Sequence, residues 1–66
     1  MAQSNVISVK IYDGLNLVCE NNTFTNAEVA KDSATRIIEN QKQIMGDAMT
    51  SYAMVFDSRR MIYYID

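Results

Sequence analysis

The chain of 66 residues has no histidine, no tryptophan and no proline, and it holds only one cysteine and two glycines. Each shortage removes a class of chemistry. Without histidine the commonest general acid–base near neutral pH is missing, and Cys19 alone cannot assemble a structural zinc site. A single thiol forms no internal disulfide and suits a reducing cytoplasm, which is the expected compartment. Gly14 and Gly46 stand too far apart for a phosphate-cradling loop. The carboxylates Asp13, Glu20, Glu28, Asp32, Glu39, Asp47, Asp57 and Asp66 are dispersed singly, with no apolar-flanked couple to share a proton and no calcium-loop spacing. The expectation is a protein that is not an enzyme and uses no metal or cofactor.

Six basic side chains against eight acidic ones leave a net charge of −2. That balance argues against a basic nucleic-acid groove and against a polybasic membrane anchor. Residues 1–5 carry no basic run before an apolar core, and no apolar stretch has the length of a membrane span, so neither a leader nor a membrane is expected. The Asn21-Asn22-Thr23 sequon is read as chance. With 48% hydrophobic residues the chain reads as one small globular domain. A chain of this size buries only about 60% of its unfolded surface. Lacking a disulfide or metal, it is expected to draw stability from self-association, and a homodimer is the simplest form.

Residues Val6 to Tyr12 and Leu15 to Glu20 alternate with period two around Asp13-Gly14, the pattern of a β-hairpin. A loop of Tyr12-Asp13-Gly14 pairs Ile11 with Leu15, Val9 with Leu17 and Ile7 with Cys19, which gathers six apolar side chains on one face and places Cys19 in the core. Next come helix signals. Thr25 and Glu28 form a capping box, Phe24 and Val29 a hydrophobic staple, and Ala27, Ala30, Ala34, Ile37, Ile38, Gln41, Ile44 and Met45 recur at helical spacing up to Gly46. A helix over residues 26–45 is predicted, close to the sheet at its alanine-rich start and lifting away toward its end. Residues Tyr52 to Asp57 and Arg60 to Ile65 then form a second hairpin around Ser58-Arg59. Pairing Asp57 with Arg60, Phe56 with Met61, Met54 with Tyr63 and Tyr52 with Ile65 puts these larger side chains under the helix. Ala53, Val55, Ile62 and Tyr64 are left on the opposite face.

The fold class is therefore α+β, with the order ββαββ and one helix covering one face of a four-stranded sheet. The preferred strand order is 2-1-4-3, β-grasp-like, because Met61 to Ile65 is apolar on both faces and reads as a central strand. A fully antiparallel sheet is the alternative.

With no second helix to cover it, the open face becomes the candidate site. Val55, Ile62, Tyr64 and Ala53, joined by Val18 and Val6 and flanked by Arg59, Arg60, Lys10 and Asp57, have the apolar centre and arginine-aromatic composition of a protein interface. The expected function is a protein-binding module, with a second copy or a different protein as partner. Nucleic-acid binding on the same face, with Tyr64 and Tyr12 stacking on bases and Lys10, Arg59 and Arg60 on phosphates, is the alternative, as is a structural subunit of a larger assembly. In size and layout the chain resembles the small accessory proteins of bacteriophages and mobile elements. That resemblance implies an inhibitor or adaptor that occludes part of a host machine.

Overall fold

A computed structural model describes residues 6–66; the reading of residues 1–5 lies outside them. The elements are β1 (Ile7–Asp13), β2 (Asn16–Phe24), α1 (Ala27–Met45), β3 (Ser51–Asp57) and β4 (Arg60–Ile65), with a 3₁₀ turn at Gly46–Ala48 after the helix. They form one antiparallel sheet in the order β2-β1-β3-β4, with α1 on one face. The α+β class and the ββαββ arrangement stand. The preferred order 2-1-4-3 does not, and the fully antiparallel alternative is the one observed. Strand directions are the same in both; what differs is which strand of the second hairpin lies beside β1. β3 matches β1 residue for residue, seven pairs from Ile7 opposite Asp57 to Asp13 opposite Ser51, without a bulge. β4 is shorter and bulged. An unbroken antiparallel ladder is the better-bonded choice, so β3 takes the centre.

The helix is set by its ends. Asn26 is the N-cap, its side chain accepting hydrogen bonds from the backbone N–H of Glu28 at 2.8 Å and of Val29 at 3.2 Å. Such a cap contributes about 1 kcal/mol. The predicted Thr25–Glu28 capping box is replaced by this simple cap at Asn26, and Val29 is exposed instead of stapled to Phe24. Gly46, at φ 58°, ends the helix as expected. Ala30, Ala34 and Ile38 are its buried residues, and no residue beyond Ile38 is fully covered. They lie on Ile7, Val9 and Ile11 of β1 and on Ala53 and Val55 of β3, with Phe24, Ile62, Tyr63 and Ile65 closing the rim. The small alanines let the helix approach the two central strands closely.

α1 does not reach across β2, whose residues are all exposed except Phe24. The first hairpin turns through Gly14-Leu15 instead of Tyr12-Asp13-Gly14, so Asp13 faces Asn16, Tyr12 faces Leu17 and Ile11 faces Cys19. Positive φ at Gly14 and not at Leu15 fits a turn with glycine first. A Cβ on Gly14 would meet nothing within 4 Å, so Gly14→Ala tests backbone conformation alone. It is expected to cost about 1 kcal/mol, read from urea unfolding midpoints.

The shifted register also moves Cys19 out of the core, and its thiol is free and exposed. It sits opposite the buried Ile11, but on a strand the helix leaves bare. A thiol-specific chromogenic reagent is expected to label Cys19 in the folded protein at nearly its rate in denaturant, whereas a core thiol would react only after unfolding.

Candidate interaction surface

Side chains alternate across a strand, so the burial of Ile7, Val9, Ile11, Ala53 and Val55 beneath α1 sends their neighbours to the other face. Ser8, Lys10 and Tyr12 of β1 lie directly opposite Phe56, Met54 and Tyr52 of β3. β4 adds Tyr64 beside Met54, and β2 adds Leu17 beside Tyr12 and Glu20 beside Lys10. Among the described residues no helix covers this face.

Its centre is a row of tyrosines running across three strands. The rings of Tyr12 and Tyr52 are stacked, with centroids 5.5 Å apart and planes 8° from parallel, and Tyr64 follows at 5.7 Å and 30° from Tyr52. This is the offset-stacked geometry aromatic pairs prefer, contributing about 0.5–1.5 kcal/mol beyond area burial. Tyr52 therefore has a ring on either side. Its hydroxyl donates to the carbonyl of Gly14 at 2.9 Å, and beside it the Thr50 hydroxyl donates to a carboxylate oxygen of Asp13. These bonds tie the start of β3 to the first turn. Toward the other end, the Lys10 ammonium lies 5.1 Å from the centre of the Phe56 ring. There Val6, Ser8, Lys10, Glu20, Phe56 and Arg59 line a shallow depression of mixed charge.

The residues expected on the open face divide. Tyr64 and Lys10 are on it, Arg59 lies at its rim in the turn after β3, and Arg60 is exposed at the start of β4 opposite Asp57. Val18 is exposed at the irregularity between the Ile11 and Tyr12 pairings, and Val6 is exposed just before β1. Ala53 and Val55 are at 0% exposure beneath the helix, and Ile62 packs against the same core. These three are corrections. Ala53 and Val55 follow from the facing of β3, where they lie opposite the buried Ile11 and Val9; in β4, Phe56 faces Met61 as expected, but Val55 faces Tyr63, so Ile62 is the extra residue of a bulge. Every later pair slips by one, and Met54 faces Tyr64 where Tyr63 was expected.

The surface residues missed were Tyr52, Met54, Phe56 and Leu17. One signal for them was present in the sequence. A helix stripe of Ala27, Ala30 and Ala34 requires a close approach, which Ala53 and Val55 permit and Tyr52, Met54 and Phe56 do not. Among the described residues no group of three or more Cys, Asp or Glu side chains is placed to hold a metal ion, and no helix is long and apolar enough to cross a membrane. Comparison of the chain with protein-family models, with curated proteins and with solved structures found no match.

Proposed function

We propose that this chain is a small, non-enzymatic protein-binding module whose open sheet face docks on a protein partner and acts, as an inhibitor or adaptor, by occluding that partner's surface. The observation that carries the reading is the uncovered tyrosine row of Tyr12, Tyr52 and Tyr64, continued by Leu17, Met54 and Phe56. Aromatic and methionine side chains around a contiguous centre, with Lys10, Glu20 and Arg59 toward one end, have the composition of an interface core and rim. Stacked tyrosines are held by their neighbours, so little side-chain entropy remains to be lost on docking.

The same stacking speaks against base recognition. A stacking platform offers free ring faces to bases, but the faces of Tyr52 are taken up by Tyr12 and Tyr64. Lys10 is engaged with Phe56, and Glu20 stands opposite it where a phosphate would approach. Such a face suits a protein better than a nucleic acid.

The test is differential capture from a nuclease-treated bacterial lysate. The native chain, a Tyr12→Asp/Leu17→Asp variant and an Ile44→Asp control on the helix are immobilised and the retained proteins identified. The expected result is a protein held by the native chain and the control but weakened on the order of thirty-fold for the open-face variant, the size of a hot-spot loss. Equal retention by all three would remove the reading. Retention that vanishes with nuclease or falls steeply with salt would replace it with nucleic-acid binding.

A further inference from the structure

The sheet has two outer strands, and their chemistry differs. β2 is defended: its middle residue is Glu20, followed by Asn21 and Asn22, and two register shifts interrupt its pairing with β1. Antiparallel pairing of β2 with itself about its centre would set Glu20 against Glu20, like charges directly opposite. β4 has little such defence. After Arg60 it reads Met61, Ile62, Tyr63, Tyr64 and Ile65, with no lysine and no proline, and its outer side has no strand beside it among the described residues. Its one interruption, the Ile62 bulge, lies near its start and leaves Tyr63 to Ile65 regular. An apolar edge with free backbone N–H and C=O groups is a template for another strand.

We infer that β4 pairs antiparallel with β4 of a second copy of this chain, joining two sheets into one of eight strands around a twofold axis at Tyr64. One observation selects a second copy over another protein's strand, the tyrosine row. Tyr64 is stacked on Tyr52 on its inner side and is 54% exposed at the edge, so its outer ring face ends the row. A twofold axis at Tyr64 sets it opposite Tyr64 of the second copy on the open face and continues the row through six rings. On the helix side the same register sets Tyr63 opposite Ile65, an apolar pair that occurs twice. Because the bulge limits the regular ladder to a few residues, the interface is small and the dimer weak, forming in the micromolar range.

This interface is separate from the β1 and β2 side of the open face, so its test does not depend on the proposed partner. In sedimentation equilibrium across the micromolar range the native chain is expected to approach twice its 7.5 kDa mass. Tyr64→Asp, which sets two carboxylates opposite each other at the axis, is expected to weaken association about tenfold or more. Mixing it with Tyr64→Lys is expected to restore association. In a Cys19→Ser background, Tyr64→Cys is expected to form an intermolecular disulfide faster than Arg59→Cys, since directly opposed residues fall within disulfide reach. A native chain that remains monomeric, a Tyr64→Asp variant that associates as well as the native chain, or equal cross-linking at positions 59 and 64 would each overturn the inference. Tyr12→Asp/Leu17→Asp is expected to leave the dimer intact; loss of association there would place the self-contact on the open face instead.

Discussion

Replacing Ile38 with alanine is expected to lower the unfolding free energy by about 3 kcal/mol and the melting temperature by about 15 °C. Ile38 is 1% exposed and, with Val55, is one of the two largest side chains that are fully buried. It lies where the alanine-lined start of α1 gives way to the exposed last turns, so no other large helix residue is buried to share its role. Removing its branched side chain leaves a cavity between the helix and β1 and β3 that the alanines at 30 and 34 are too small to fill. A domain of this length has about 3–10 kcal/mol in total, so the variant is expected to be partly unfolded at physiological temperature. Ile44→Ala, on the same helix but 68% exposed, is expected to change stability by about 0.5 kcal/mol or less. Thermal and urea unfolding followed by helical circular dichroism compare the two directly. A loss below about 1 kcal/mol at Ile38 would mean that the helix is not clamped at this point.

The contrast between Ile38 and Ile44 shows how far the sequence alone could be read. Helical periodicity placed Ile37, Ile38, Ile44 and Met45 on one buried stripe, because period 3.6 records which residues share a face but not where the underlying sheet stops. Element order, helix limits and the tight turn at Ser58-Arg59 were legible, since each rests on local chemistry: a cap, a glycine, a two-residue turn. The first two pairs of the second hairpin were legible for the same reason. Pairing beyond a bulge was not. In β3 and β4 both alternations are apolar, so hydrophobicity cannot say which set faces the helix: β3 turns the set opposite to the expected one toward it, and one extra residue at Ile62 leaves Tyr63, Tyr64 and Ile65 on their expected faces. Leu15 in the turn and Leu17 and Val18 in β2 are apolar yet exposed, and the alternation that suggested a core strand instead belongs to an edge the helix does not cover. The strand order turned on the same ambiguity: β4 looked central for being apolar on both faces, a property it shares with β3, and one that suits an edge joined to another chain equally well.

That inversion gives the most decisive substitution pair in the molecule. Val55→Asp is expected to abolish the fold, with loss of the helical signal, whereas Met54→Asp at the adjacent position is expected to leave the chain folded and less stable by about 1 kcal/mol. Val55 is at 0% exposure between β1 and the helix, opposite Val9, and among the described residues every side chain of that core is apolar. A carboxylate there would be ionised without a partner or neutralised at a comparable cost, and leaving a buried charge unpaired costs about 3–5 kcal/mol before the lost valine packing is counted. That sum meets or exceeds the whole stability of a domain this small. Met54 lies on the open face between Lys10 and Tyr64, where an aspartate reaches water and has the Lys10 ammonium on the neighbouring strand. Had the larger side chains of β3 faced the helix, as the sequence reading expected, the two outcomes would be exchanged. Circular dichroism of the two purified variants therefore reads out which face of β3 the helix covers, and with it whether Tyr12, Tyr52 and Tyr64 are free to meet a partner.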